Sequence, residues 1–224
     1  TLFFFGYDMS LFGKEKLAEP ETVFGNKYRY VENIWPHRMD LFRDLHIAII
    51  SLAQKLPEVD FVIKPKPEVL SKRNTSWDEV MRIVNEMDID LNKLKNYTFE
   101  PNAHVHDLIL NSDVVIALQS STAIESAIAG KPVIFPLFYN YKETMNFNDF
   151  SWRNHLDLFD VAESANEMES LVIERLGDPE IDENIMESRR KLFKDCYSDL
   201  DGVALRKYSE KINNIVVSAR KKVR

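Results

Sequence analysis

Cysteine is almost absent from the sequence, because Cys196 is the only one in 224 residues. One thiol excludes an internal disulfide framework and a cysteine-based zinc site, and this rarity fits a reducing cytoplasm. Long apolar runs are absent too, since none approaches the roughly 18 residues that span a membrane. No basic region precedes Thr1 to Phe5 in the sequence, so we do not expect these residues to act as a signal peptide.

Basic charge and glycine are also scarce. The formal net charge is -7, which disfavours a general nucleic-acid-binding protein because such proteins normally present a basic face. The six glycines supply neither a G-x-G-x-x-G pattern nor a P-loop. A nicotinamide-dinucleotide enzyme and a P-loop NTPase are therefore disfavoured.

Short β-branched apolar runs alternate with segments of helical periodicity. The runs predict strands at Leu2–Phe5, Phe61–Ile63, Tyr97–Glu100, Val114–Leu118, Val133–Phe135 and Leu158–Val161. Helices are predicted to start near Pro36, Ser76, His104, Ser121, Ser164 and Ile181, and after Gly202. This alternation predicts an α/β fold with a Rossmann-like parallel sheet, helices on both faces and closing carboxyl-terminal helices.

We expect a single domain over residues 1–224, with residues 180–224 as a helical extension. The chain begins directly on a predicted strand, and natural chains rarely begin inside a core element. The sequence therefore also suggests the carboxyl half of a longer, two-domain protein.

The stretch from Asn111 to Pro136 carries the clearest functional pattern. A buried strand, a polar turn from Gln119 to Thr122, a short helix and a second strand follow one another. The turn therefore lies at the carboxyl end of a parallel strand and at a helix amino end, where N–H groups and the helix dipole favour a phosphate. Thr122-x-x-Glu125 is also a capping box, so helix capping and ligand binding both explain the pattern.

The same stretch resembles the donor-binding half of GT-B glycosyltransferases, particularly bacterial enzymes of capsule and surface-polysaccharide synthesis. The resemblance is specific at residues 111–136 and weaker elsewhere between roughly residues 60 and 210. It rests on Ser120-Ser121-Thr122, Glu125, a small-residue helix and Gly130-Lys131-Pro132-Val133-Ile134. It implies that the hydroxyl turn binds the donor phosphate and that Glu125 binds the ribose hydroxyls.

Lys64-Pro65-Lys66-Pro67 follows a predicted strand. The prolines prevent a helix and further ladder pairing, so they predict an extended loop that projects both lysines at the same sheet edge as the hydroxyl turn. In the transferases that the chain resembles, this segment is similar to Lys-Pro-His-Pro, and its His contacts the donor phosphate. Lys66 replaces that His, which keeps the attraction but supplies no acid or base near neutral pH. A solvated surface lysine is the alternative.

Other candidate residues border this edge. Gly6 ends the first strand and permits close backbone approach, so it joins the predicted phosphate site. The resemblance implies that the nucleotide base lies beside Phe99, Pro101 and His104. No metal is predicted, because His104 and His106 point apart at a helix start and no carboxylate cluster accompanies them.

Three further features have competing interpretations. His46 falls between the apolar positions of its helix and is predicted to be a surface or boundary residue. Residues 8–35 form either a lip over the site or an extended surface connection. Residues 137–152 are rich in Tyr, Phe and Asn and either line a sugar pocket or cover a sheet edge.

We expect a cytoplasmic glycosyltransferase domain that binds a nucleotide-activated sugar for capsule or lipopolysaccharide synthesis. The resemblance implies that the nucleotide-sugar is a substrate, with no separate cofactor, and that the acceptor is a glycan or lipid-linked glycan. It also implies an N-terminal GT-B half that carries the acceptor site and the catalytic base, and a last helix that reaches toward that half. A non-hydrolysing nucleotide-sugar epimerase and a non-catalytic nucleotide-binding module are the alternatives.

The sequence assigns no catalytic residue and no nucleic-acid partner. Its basic end, Arg220-Lys221-Lys222-Val223-Arg224, suggests peripheral contact with an anionic membrane surface, where a lipid-linked acceptor lies. A solvated helix end is the alternative explanation.

Overall fold

The structure is a computed structural model that describes residues 2–5, 22–23, 26–27, 38–65, 75–118, 120–148, 150–197 and 202–222. Its strands are β1 (Leu2–Phe5), β2 (Thr22–Val23), β3 (Asn26–Lys27), β4 (Phe61–Pro65), β5 (Tyr97–Phe99), β6 (Val115–Leu118), β7 (Val133–Pro136) and β8 (Asp160–Ala162). Its α-helices are α1 (Arg38–Lys55), α2 (Thr75–Glu86), α3 (Val105–Leu110), α4 (Thr122–Ile128), α5 (Met145–Asn148), α6 (Ala165–Gly177), α7 (Glu183–Cys196) and α8 (Ala204–Lys222). Short 3₁₀ helices cover Leu91–Lys93, Tyr141–Glu143 and Leu156–Leu158.

Six strands form one parallel sheet in the order β5-β4-β1-β6-β7-β8. The first strand lies at its centre, where Phe5 is in register with Pro65 of β4 and with Leu118 of β6. Numbered within this sheet alone, the strands run 3-2-1-4-5-6, which is the Rossmann order. The predicted α/β, Rossmann-like parallel sheet is confirmed.

Helices cover both faces of the sheet, as predicted. Right-handed crossovers carry α1 from β1 to β4 in one direction and α4 from β6 to β7 in the other, which places these helices on opposite faces. Helix α1 packs against α2 and α6, whereas α3 packs against α4. Strands β6 and β7 are buried at every position, as expected for parallel strands covered on both sides.

His46 is only 1% exposed, so the predicted surface or boundary position is wrong. Its Nδ1 lies 2.8 Å from the carbonyl oxygen of Phe42, and the two ring centroids are 4.1 Å apart. Helix α1 contacts both α2 and α6, so burial extends over a wider arc than its apolar stripe. The apolar positions of that stripe are buried as predicted.

Two segments contain structure that the sequence did not predict. Within residues 8–35, β2 and β3 form an antiparallel pair, and the rest of that segment lies outside the described residues. The last sheet strand begins at Asp160 rather than Leu158, because Leu156–Leu158 forms a 3₁₀ helix.

The aromatic segment 137–152 packs into the core. Tyr141 and Phe150 are fully buried, and the Phe150 ring contacts Phe135 of β7 edge-on at a centroid distance of 5.1 Å. The Phe159 ring also packs on Phe135, at a centroid distance of 4.7 Å. These contacts favour the second of the two interpretations, in which the buried rings of this segment cover the sheet edge and do not line a sugar pocket.

The chain divides into two compact units, Thr1–Ile181 and Asp182–Arg224. The first contains the sheet, and the second contains α7 and α8. Among the helices in the described part of the chain, none is long and apolar enough to cross a membrane.

Asn96 stabilises the amino edge of the sheet by hydrogen bonds. Its side chain is buried, and Nδ2 donates to the carbonyl oxygens of Ala53, Leu56 and Val59 at 3.0, 2.9 and 2.9 Å. These carbonyls belong to the end of α1 and the turn before β4, where a helix leaves acceptors unpaired. One side chain therefore holds a helix end and a turn beside β5.

Asn96→Ala should lower the free energy of unfolding by about 2–3 kcal/mol, because the carbonyl oxygens of Ala53 and Val59 lose this donor, whereas that of Leu56 still accepts from the Val59 N–H. Urea denaturation measures the change. Asn92→Ala is the control, since Asn92 is exposed and its amide bonds only to nearby Asp90. Equal stability of Asn96→Ala and the parent would contradict the assigned bonds.

The hydroxyl of Tyr97 is buried and has no hydrogen-bond partner among the described residues. Burial raises the pKa of Tyr97 above its usual value. Removing an unsatisfied buried hydroxyl relieves a desolvation cost, so Tyr97→Phe should stabilise the protein by about 1 kcal/mol. Urea denaturation at neutral pH measures this gain.

Tyr97→Phe should also make the free energy of unfolding fall less steeply as the pH rises into the alkaline range. A raised folded pKa means that the unfolded tyrosine ionises first, so the parent loses stability as pH rises above about 10. Tyr139→Phe is the comparison at neutral pH, because the Tyr139 hydroxyl donates to Asp44 and its removal should destabilise the protein there. Burial and this bond also raise the pKa of Tyr139, so the alkaline slopes of the two variants are not compared. A Tyr97→Phe variant less stable than the parent at neutral pH would show that the hydroxyl is satisfied.

Candidate functional site

The central pair of strands forms a topological switch point. Beyond β1 the chain crosses through α1 to β4, and beyond β6 it crosses through α4 to β7 on the other side. The connections therefore diverge from the paired carboxyl ends at Phe5 and Leu118. Open α/β sheets bind ligands in the crevice that such divergence leaves. Residues 120–122 come shortly after Leu118 and border this crevice.

The three residues predicted to bind phosphate have different surroundings. Ser120 is half-buried, and its Oγ accepts a hydrogen bond from the Thr122 N–H at 3.1 Å. Ser121 is exposed, and its side chain makes no helix-capping bond. Thr122 is only 3% exposed. Ser121 is therefore the member of the turn whose side chain is most accessible to a ligand.

The capping-box interpretation of Thr122 and Glu125 is wrong. Helix α4 begins at Thr122, so Ser121 is the N-cap and Thr122 is the first helical residue. A capping box needs its acidic residue three positions after the N-cap, whereas Glu125 is four positions after it. Ser120 satisfies the first N–H groups instead, through its Oγ to Thr122 and its carbonyl to Ala123.

Glu125 faces a residue that the sequence had not connected with it. Its Oε2 lies 3.3 Å from Nε2 of His106 on α3, and its side chain is 33% exposed. The His106 ring also packs edge-on against His104 at a centroid distance of 5.2 Å, so the prediction that these two side chains point apart is wrong. The predicted ribose residue and a predicted base residue are thus linked through His106. No sequence spacing predicts this pair, because it depends on how α3 packs on α4.

Lys64 lies inside the sheet and not on an extended loop. Strand β4 continues to Pro65, which corrects the prediction that pairing stops after Ile63. Proline is tolerated there because β5 ends at Phe99, opposite Ile63, so Pro65 has a strand neighbour only in β1.

The ammonium group of Lys64 is 2.9 Å from the carbonyl oxygen of Pro101 and 3.0 Å from that of Pro65. The residue is 3% exposed, and desolvation lowers the pKa of Lys64 below its usual value. These bonds bring a predicted phosphate residue and a predicted base residue together. They hold the segment after β5 against the end of β4, and phosphate binding by Lys64 stays a prediction.

The structure describes only some of the remaining predicted site residues. Phe99 is half-buried at the end of β5, and His104 is exposed immediately before α3. Both therefore lie at the carboxyl edge of the sheet, beside Pro101. Gly6 and Lys66 lie outside the described residues.

A strained pair follows β7 at the same edge. Tyr139 and Asn140 have φ angles of 58° and 53°, which is a left-handed conformation that non-glycine residues seldom adopt. The Tyr139 hydroxyl donates to Asp44 on α1 and fixes this turn. Such strain is often found near functional sites. The sequence signalled only that the segment was polar and aromatic.

A cavity of about 310 Å³ lies at the opposite, amino edge of the sheet. It is acidic, which suits a phosphate poorly, and it does not coincide with the predicted site. Its lining residues are Glu58, Val59, Asp60, Val62, Leu108, Asn111, Ser112, Asp113 and Leu176. Over the described ranges, no group of three or more His, Cys, Asp and Glu side chains could hold a metal ion.

Comparisons with protein-family models, curated proteins and solved structures found no match to the chain. The Rossmann-like fold is therefore established by strand order and parallel pairing. The switch point marks the carboxyl edge of the sheet as a candidate site, and ligand binding there stays a prediction.

Ser120→Ala should destabilise the protein by about 1 kcal/mol, because the Thr122 N–H loses its acceptor. Ser121→Ala is the matched control and should change stability little, since its hydroxyl makes no capping bond. Thermal and urea unfolding of both variants measure the difference. Equal losses would show that the helix start is capped differently.

Proposed function

We propose that the chain binds the nucleotide part of an activated sugar at the carboxyl edge of its sheet. On this proposal it is the donor-binding half of a GT-B-type glycosyltransferase for surface-polysaccharide synthesis. The single observation that carries the proposal is the position of residues 120–122 at the switch point between β1 and β6. The resemblance at residues 111–136 supplies the substrate class.

The phosphate would lie beside the turn. Ser121 offers an exposed hydroxyl, and the first turn of α4 contributes the positive end of its peptide dipoles. The negative charge on the departing nucleotide would grow as the sugar bond breaks. Fixed donors in the crevice would stabilise that charge without covalent chemistry.

The ribose would lie beside Glu125. Its carboxylate is partly exposed and is not used in a capping box, so it is available to accept hydrogen bonds from ribose hydroxyls. His106 would hold the carboxylate from the other side. The base would extend toward Pro101 and His104, at the start of α3.

The proposed reaction requires groups that this site does not assign. The acceptor, a glycan or lipid-linked glycan, and the catalytic base would come from an N-terminal half. In such an arrangement the protein would work at the cytoplasmic face of a membrane. Binding of a nucleotide-sugar without transfer by the complete protein would instead favour a non-catalytic nucleotide-binding module.

A thermal-shift panel of CMP, CDP, UDP, GDP and their sugars tests the substrate class. A ligand at 100 times its Kd should stabilise the folded state by about 2.7 kcal/mol. A panel in which no nucleotide raises the melting temperature would overturn the proposal.

Glu125→Gln should weaken the best nucleotide of the panel on the order of tenfold to a hundredfold in Kd, because a charged hydrogen bond to ribose is lost. Stability should change little, since its exposed pair with His106 is worth little. Calorimetric titration beside a melting curve measures both quantities. Glu174→Gln, an exposed position on α6, is the control. Equal affinity of Glu125→Gln and the parent would refute the ribose role.

A further inference from the structure

Helix α8 presents an apolar stripe that is exposed among the residues that the structure describes. Tyr208, Ile212 and Ile215 are spaced by four and three residues, so they lie on one helix face. They remain 66, 59 and 61% exposed. Large apolar residues that are exposed together in this way normally mark an interaction surface.

The same helix is strongly basic. Its sequence contains six lysines and arginines and one glutamate, whereas the whole chain has 29 Lys and Arg against 36 Asp and Glu. Lys211 is exposed beside the stripe, whereas Arg206 is exposed on the opposite face, 3.9 Å from Glu210. An apolar stripe flanked by cations is typical of helices that lie in a membrane interface.

A second copy of the chain fits this surface poorly. Three partly exposed side chains offer on the order of 300–400 Å², about half of what each partner usually buries in a stable complex. Two such helices would also bring like charges together. Lysine is depleted in protein–protein interfaces, whereas lysines flank this stripe.

The geometry points to an anionic phospholipid surface as the partner of α8. The helix lies in the plane of the headgroups, with Tyr208, Ile212 and Ile215 toward the acyl chains and its cations among the lipid phosphates. This inference does not depend on nucleotide-sugar binding. It assigns the contact to the helix face, and not to the basic carboxyl end alone.

Co-sedimentation of the 224-residue chain with vesicles tests the inference. Phosphatidylcholine vesicles with about 30% phosphatidylglycerol should bind it at least tenfold more tightly than phosphatidylcholine alone, because each basic residue adds attraction. High salt should weaken this binding. The double substitution Ile212→Gln and Ile215→Gln should reduce the partition coefficient on the order of tenfold, without altering charge.

Asn213→Gln is the matched control, because Asn213 is exposed on the same helix but away from the stripe. Its binding should equal that of the parent. No binding of the parent to anionic vesicles would overturn the inference, as would equal binding by the double variant. A concentration-dependent dimer in light scattering that the double variant abolishes would also overturn it, since the stripe would then belong to a second copy. A nucleotide-binding failure in the thermal-shift panel leaves each of these outcomes unchanged.

Discussion

The parallel pairing of β1 between β4 and β6 is the constraint on which the structure depends. It joins the β5-β4 half of the sheet to the β6-β7-β8 half, and it fixes the point from which the crossover connections run in opposite directions. A different neighbour for β1 would move the switch point and take the turn at 120–122 away from the crevice. The fold thus determines the position of the site before any side chain contributes.

Hydrogen bonds from buried side chains to backbone carbonyl oxygens then stabilise the segments at both edges of this sheet. At the amino edge Asn96 holds the end of α1, and at the carboxyl edge Lys64 holds the segment after β5. Both groups are buried, where hydrogen bonds to unpaired carbonyls matter most. His106 is exposed and Glu125 is partly exposed, so their contact contributes less than these buried bonds do.

Much of the fold was predictable, because buried parallel strands are short β-branched runs and each was visible in the sequence. The sequence predicted that the hydroxyl turn lies at the carboxyl edge of the sheet, whereas the contacts of its neighbours were not predictable. The order of strands in the sheet decides that α3 packs on α4, and no local pattern encodes the resulting contact of His106 with Glu125. The N-cap of α4 is Ser121 and not Thr122, so Glu125 does not complete a capping box. His46 is buried because α1 packs against both α2 and α6.

The central position of β1 also has a kinetic consequence. Its partners begin at Phe61 and Val115, so the chain must close two long loops before the first strand can pair on both sides. Loop closure carries an entropy cost before any contact compensates for it, and domains dominated by distant contacts fold slowly. During synthesis the apolar β1 therefore emerges long before β6 does, and it stays exposed to the ribosome surface and to chaperones until the middle of the sheet is complete.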